Sequence, residues 1–187
     1  SLRIRSEMIS DDPQRTKIIA TIEEMTSMTE NILSWTKDAA GLEELVSVNV
    51  HSLLSSIVDD FVDQGEDIKL QCDTTLVLTT RRLAMKRALS NVINNAIRYG
   101  RCARVSVVST TDSVLIHIDD KGPGIPKEML GDALKPFVRL EASRNKDTGG
   151  SGLGLSITES IVQTEGGKLL FENLHPTGLR VTLSLPS

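Results

Sequence analysis

Aromatic residues are scarce in this chain: three Phe, one Tyr and one Trp among 187 residues. A core must therefore be aliphatic, and 39% hydrophobic residues suffice to build one. Cysteine is scarcer still. Cys72 and Cys102 have no metal-ligand spacing and read as reduced thiols in a cytosolic compartment rather than a disulfide. The three histidines, His51, His117 and His175, are isolated from other metal-binding side chains and read as structural. Positive charge is not in excess. The net charge of −4 argues against a general nucleic-acid binder or a membrane-surface binder. No apolar run approaches the roughly 18 residues of a membrane span, and no secretory leader is visible. The chain begins with Ser1 rather than Met, midway through a helical pattern, which reads as an excised piece of a longer protein.

What is present falls into two parts. Leu2, Ile4, Met8 and Ile9 read as the tail of a helix. Ser10-Asp11-Asp12-Pro13 is a stop and restart, with Asp as cap and Pro at the first helical position. A long helix is expected from there to about Lys37, striped by Ile18, Ile19, Ile22, Met25, Met28, Thr29, Ile32 and Leu33. The rest of the chain supplies its own core, so this stripe is expected to pack in a helical hairpin or against a second subunit. Gly41 marks a boundary, giving a partial helical hairpin over residues 1–40 and a domain over residues 41–187. In the second part the pattern predicts strands over 46–50, 68–72, 76–78, 103–109, 114–119, 168–171 and 179–185. It predicts helices over 52–63, 81–99 and 153–165. Turn signals at residues 110–113 and 175–178 pair the last strands as hairpins. The expected fold is α/β: a two-layer sandwich of a mixed, mostly antiparallel sheet with three helices on one face. Residues 127–150 are polar and lack periodicity, which suits a functional lid anchored by Phe137.

Three motifs carry chemistry. On the helix predicted over 81–99, Met85, Leu89, Val92, Ile93 and Ala96 share one side; Asn91, Asn95 and Arg98 share the other, with Tyr99 at its margin. A plain solvated face would accommodate them, but asparagine is a poor helix former, so two on one face invite a purpose. Asn95 can offer a hard oxygen to Mg²⁺, Arg98 can meet phosphate, and Tyr99 can cover a base. Asp120-Lys121-Gly122-Pro123-Gly124-Ile125-Pro126 sets a carboxylate at the end of an apolar strand, beside glycines that give it room. Such a carboxylate accepts from the amine of adenine and opposes the oxygen of guanine. Gly150-Ser151-Gly152-Leu153-Gly154-Leu155 is a glycine-rich turn running into a helix, whose free N–H groups suit an anion. It is neither a dinucleotide fingerprint nor a P-loop.

Four segments in order resemble sensor histidine kinases. Asn91-Val92-Ile93-Asn94-Asn95-Ala96-Ile97-Arg98-Tyr99 is similar to their N box, and Asp120-Lys121-Gly122-Pro123-Gly124 to their G1 box. Pro136-Phe137-Val138-Arg139 is similar to the F box of the ATP lid, and Gly150-Ser151-Gly152-Leu153-Gly154-Leu155 to the G2 box. The resemblance spans about Glu43 to Pro186 and implies the Bergerat sandwich, with ATP and Mg²⁺ as cofactors. By it, Asn95 would coordinate Mg²⁺ with Asn91 in support, Arg98 would contact phosphate, and Tyr99 would pack on the adenine. Asp120 would accept the adenine amine. Gly122, Gly124, Ile125, Gly150, Ser151, Gly152, Leu153 and Gly154 would shape the pocket, and Phe137 and Arg139 would belong to the lid, Arg139 reaching the γ-phosphate. Residues 1–40 resemble the dimerisation and phosphotransfer hairpin, from late helix 1 through helix 2.

The implied activity is that of a protein-histidine kinase, with a response-regulator receiver domain as downstream partner and a homodimer through the amino-terminal helices. The fragment would be cytoplasmic, without nucleic-acid or membrane contacts of its own, and its parent would sit in a bacterial inner membrane. One departure stands out: no histidine here fits the family's phosphoacceptor segment, which by this alignment would lie shortly before Ser1. Two other readings remain, a nucleotide-gated interaction module and a stand-alone ATPase or serine kinase of the same superfamily.

Overall fold

A computed structural model describes Ile22 and residues 43–72, 76–138 and 152–187. Of the hairpin expected over residues 1–40, only Ile22 is among them. The described elements run β1 (Val46–Asn49), α1 (Val50–Val62), β2 (Ile68–Gln71), β3 (Val77–Thr80), α2 (Arg82–Gly100), β4 (Ala103–Ser109) and β5 (Ser113–Asp119). Then follow a 3₁₀ turn (Lys127–Met129), α3 (Leu130–Ala133), α4 (Gly154–Thr164), β6 (Lys168–Asn173) and β7 (Leu179–Pro186).

Local chemistry explains most boundaries. Asn49 precedes α1 in extended conformation, and its side-chain oxygen accepts from Ser52 N at 2.9 Å, the usual service of a helix cap. Within α1, Val50, Leu53, Leu54, Ile57 and Val58 repeat at helical spacing and are all buried. No local cap exists for α2: the flanking residue is Arg81, which makes no capping bond. A distant carboxylate supplies one. Glu43 Oε1 accepts from Leu83 N at 2.6 Å and Oε2 from Ala84 N at 3.0 Å. At the far end of α4, Glu165 takes Arg81 Nη1 at 2.9 Å and the Thr80 hydroxyl at 2.8 Å, pinning that helix to the β3–α2 junction.

The main sheet has the order β2-β4-β5-β7-β6, with β2 parallel to β4 and every other pair antiparallel. The hairpins expected at the two turns, β4–β5 and β6–β7, are formed. One expectation needs correction: β1 and β3 do not join this sheet but pair with each other as a separate antiparallel ribbon. Each is four residues long, and together they turn only Val48, Leu78 and Thr80 fully inward. In β5, Val114, Ile116 and Ile118 are buried, whereas Leu115, His117 and Asp119 alternate with them on the outer face. Against the inner face lie α1 on β2, α2 on β4 and β5, and α4 on β6 and β7, with α2 packed along α4. This is the expected α/β two-layer arrangement with three helices on one face. Leu54, Leu89 and Leu183 are completely buried at its centre. Truncating such a leucine to alanine costs about 2–5 kcal/mol.

The segment expected to lack regular structure begins with some. Residues 127–133 form the 3₁₀ turn and α3, held in part by Lys135 Nζ on Asp132 Oδ1 at 2.6 Å. Residues 139–150, the second half of the expected lid, lie outside the described residues.

Candidate functional site

The last residue of β5 delivers the chain to Asp120, which is 8% exposed. Its Oδ1 accepts from Gly122 N at 2.6 Å and from Leu179 N at 3.2 Å, and its own N–H donates to Leu179 O at 2.9 Å. Both side-chain bonds end on Oδ1, so Oδ2 is the atom left for a donor. Burial pushes this carboxyl above the usual aspartate range. The N–H groups of Gly122 and Leu179 pull it back, and the adjacent Asp119 charge adds to the rise. The end of α2 abuts the same residue. A Cβ on Gly100 would lie 2.6 Å from Asp120 Cβ and 2.6 Å from Lys121 N, an approach that only glycine permits.

The loop after Asp120 is held from the β6–β7 hairpin. Thr177 Oγ1 donates to Gly122 O at 2.7 Å. Asn173 receives Ile125 N on Oδ1 at 2.9 Å and donates from Nδ2 to Ile125 O at 2.8 Å. Gly124, with φ of 76°, turns the loop past Asn173, where a Cβ would collide with the amide oxygen.

The two-sided character expected of α2 is present. Met85, Leu89, Val92, Ile93 and Ala96 are buried, while Asn91, Asn95 and Arg98 are half-buried and Tyr99 is exposed. The polar side is not simply solvated. Asn91 Nδ2 donates to Gly154 O at 3.3 Å, and Asn95 Nδ2 lies 3.9 Å from the place a Gly154 Cβ would take. The two amides therefore flank the start of α4. That helix begins at Gly154 with no side-chain cap from Leu153 and no acidic residue in its first turn. Thr158 Oγ1 fastens it to α2 by donating to Gly154 O at 2.9 Å and Ala88 O at 3.3 Å. Gly152 O accepts from Phe137 N at 3.1 Å, so Phe137 is held by its backbone. The residue is 60% exposed, which differs from the apolar anchor expected of it. Arg139, Gly150 and Ser151 lie outside the described residues.

His117 stands apart from these groups. His117 Nδ1 meets Thr182 Oγ1 at 2.8 Å on the outer sheet face, and burial with the nearby Arg180 charge lowers its pKa. Among the described residues no three His, Cys, Asp or Glu side chains converge as a metal site. Cys72 and Cys102 are both buried and neither is in a disulfide, and no helix is long and apolar enough to cross a membrane among the described residues.

Chemically, the assembly offers a part-buried carboxylate oxygen at one end and an uncapped helix N-terminus flanked by two amides at the other. An aminated ring and an anionic tail match those ends. Residues 80–187 match the family described as histidine kinase-, DNA gyrase B- and HSP90-like ATPase. The chain belongs to that family. Sensor histidine kinase GtrS of Pseudomonas aeruginosa is 32% identical over 185 residues, 99% of this chain and 38% of GtrS. The ATP-binding domain of PrrB from Mycobacterium tuberculosis superposes with a TM-score of 0.64 at 26% identity, covering 78% of this chain and 98% of that domain. The catalytic domain of histidine kinase ThkA superposes with a TM-score of 0.67, covering 76% and 95% of the two chains; at 24% identity it speaks for the fold. The chain thus carries the ATP-binding catalytic domain of a sensor histidine kinase, an ATP-using enzyme fold. It spans well under half the length of the curated relatives.

Four residues of this histidine kinase domain's site were not found from sequence: Gly100, Asn173, Thr177 and Leu179. Asn173, a poor strand residue at a strand end, is the one with a local signal. Gly100 acts by close approach, Leu179 through its backbone N–H and Thr177 through a hydroxyl on a loop distant in sequence, and none of these leaves a local signal.

Proposed function

We propose that this domain binds MgATP with Asp120 Oδ2 accepting the adenine amine and with the phosphates at the head of α4. Asn91 and Asn95 hold the phosphate end, Arg98 adds positive charge, and Tyr99 covers the base side. Gly122, Gly124, Ile125, Gly152, Leu153 and Gly154 shape the walls; Gly150, Ser151, Phe137 and Arg139 complete the lid. The γ-phosphoryl goes to a histidine upstream of this fragment and then to an aspartate of a response-regulator receiver domain. In this reading residues 1–40 are part of the dimerisation and phosphotransfer hairpin, and residues 41–187 the catalytic domain. The domain works in the cytoplasm for a membrane-anchored parent. What supports the wider assignment is that the likeness to GtrS, named a sensor histidine kinase, covers 99% of this chain.

Magnesium fits the donors present. Asn91 spends its Nδ2 on Gly154 O, which leaves its oxygen free of that bond, and Asn95 brings a second amide oxygen nearby. Two neutral hard oxygens suit an ion that keeps waters and takes further oxygens from phosphate. When bound, the ion neutralises phosphate charge. The chain's own residues do the positioning: Asp120 fixes the base, and the α4 N–H groups and the two amides fix the phosphates.

The observation carrying this reading is the Asp120 geometry, two backbone N–H groups on Oδ1 with Oδ2 left over. Calorimetric titration with ATP and GTP tests it. ATP should bind about ten- to hundredfold more tightly, the worth of one charge-assisted bond, and Asp120→Ala should remove most of that preference. Equal affinity for the two nucleotides in the wild type would overturn it.

A further inference from the structure

We propose that Asn173 and Thr177 are positioning residues for adenine recognition. They act as a side-chain clamp by which the β6–β7 hairpin aims Asp120. The inference rests on the adenine reading of Asp120 above.

The clamp has three attachments. Thr177 Oγ1 donates to Gly122 O at 2.7 Å, and the same Gly122 gives its N–H to Asp120 Oδ1 at 2.6 Å. Leu179, two residues after Thr177, gives the second N–H to Oδ1 at 3.2 Å. Asn173 closes the far end of the loop by taking both backbone groups of Ile125, at 2.9 and 2.8 Å. The hairpin turn is itself fixed, with Leu174 N on Gly178 O at 2.9 Å. One rigid turn therefore grips the loop at Gly122 and at Ile125 and feeds the carboxylate directly through Leu179. Between Asp120 and the 3₁₀ turn the loop has no regular structure of its own. Without the two side chains, the Leu179 N–H would still reach Oδ1, but Gly122 and the loop that carries it would no longer be fastened to the hairpin. Because Oδ1 is fixed, Oδ2 points one way, and base selection depends on that direction. Neither Asn173 nor Thr177 needs to touch nucleotide for this role.

A double-mutant cycle on the whole chain tests it. MgATP and MgGTP are titrated into wild type, Asn173→Ala, Thr177→Val, Thr177→Ser, Asp120→Asn, and Asp120→Asn combined with Asn173→Ala or with Thr177→Val. Asp120→Asn keeps an acceptor for the two backbone N–H groups and replaces the other oxygen with a donor, so base reading is lost while the loop stays. Asn173→Ala and Thr177→Val should each weaken ATP about three- to tenfold and GTP little, which narrows the ratio. Thr177→Ser keeps the hydroxyl and should restore the wild-type ratio. In the Asp120→Asn background neither change should weaken ATP further, because there is no base contact left to aim.

A role in stability alone would lower ATP and GTP affinity together, by the same factor in both backgrounds, and would overturn the proposal. So would unchanged ATP affinity in Thr177→Val, the arm that decides if Asn173→Ala fails to fold. Loss of ATP preference in Asp120→Asn with no effect from either clamp variant overturns the clamp and leaves the adenine reading intact. No preference for ATP in the wild type overturns both.

Discussion

Asn91 Nδ2 donates to the Gly154 carbonyl across 3.3 Å, tying the middle of α2 to the first residue of α4. One amide thus faces two ways. Its nitrogen joins two helices, and its oxygen remains for a ligand. Asn95, one turn further along α2, lies beside the same glycine without such a bond to it.

That difference separates the two asparagines in an experiment. Asn95→Ala should weaken ATP binding in magnesium, change it little in EDTA, and leave the melting temperature near the wild-type value. Asn91→Ala should weaken binding too, but also cost about 0.5–1.5 kcal/mol of stability through the lost interhelical bond. Calorimetry with and without EDTA, together with thermal melts, reads both. An equal loss for Asn95→Ala in the two buffers would remove its assignment to the metal.

Asp120 predicts a conflict between stability and binding. Its folded pKa is raised above the ordinary 3.8 because burial penalises the charge. The folded state therefore holds a proton that the unfolded chain releases in the interval between those values. The penalty is complete above the raised value and is relieved as pH falls through it toward 3.8. Asp120→Asn removes the charge and keeps an acceptor for Gly122 and Leu179. Without nucleotide it should melt above wild type at neutral pH, with the gap closing as the pH is lowered through that window. Its ATP affinity should fall about ten- to hundredfold. Paired melts across pH check the sign; a lower melting temperature for Asp120→Asn at neutral pH would contradict it.

Glu43 predicts a remote effect. Its carboxylate serves the N–H groups of Leu83 and Ala84, the work of a cap residue that Arg81 does not perform. Glu43→Ala should cost about 1 kcal/mol, or roughly 2–4 °C in melting temperature for a domain of this size. The amides of Leu83 and Ala84 should exchange faster with solvent. Nucleotide affinity should stay within about twofold, since Asn91 lies about two turns further along the helix. Unchanged exchange at those two amides would show that the cap is not held in solution.

Glu43 also shows what sequence reading could not reach. The α2 face was legible because period 3.6 separates Met85, Leu89 and Val92 from Asn91 and Asn95 within one element. The hairpins β4–β5 and β6–β7 were legible from their turn residues. Asp120 was legible as a carboxylate at the end of an apolar strand followed by glycines. The separation of β1–β3 from the main sheet and the parallel pairing of β2 with β4 depend on partners far along the chain. No local pattern records them. The same holds for the Glu43 cap, the Gly100 contact with Asp120, and the grip of Thr177 on Gly122. Each joins segments distant in sequence and near only after the sheet has formed.

The last prediction concerns the acceptor. None of the histidines His51, His117 and His175 should be phosphorylated by this chain when it binds MgATP. His117 projects from the outer face of β5, whereas Asn91, Asn95 and Gly154 belong to helices on the inner face, so the sheet stands between donor and acceptor. His175 sits in the β6–β7 turn, beside the loop that follows Asp120, at the base end rather than the phosphate end. His51 lies in the first turn of α1, the helix that packs on β2, and its Nδ1 meets Ser55 Oγ at 3.5 Å. In-line transfer needs the reacting atoms within about 3–3.5 Å, and effective molarity collapses without that placement. A longer chain carrying the histidine expected shortly before Ser1 should take the label instead, in acid-labile form. The measurement is incubation with γ-labelled ATP after MgATP binding has been confirmed, followed by acid treatment and mapping of any label. Acid-labile phosphate on His51, His117 or His175 would show that the phosphate end has been assigned to the wrong face of the fold.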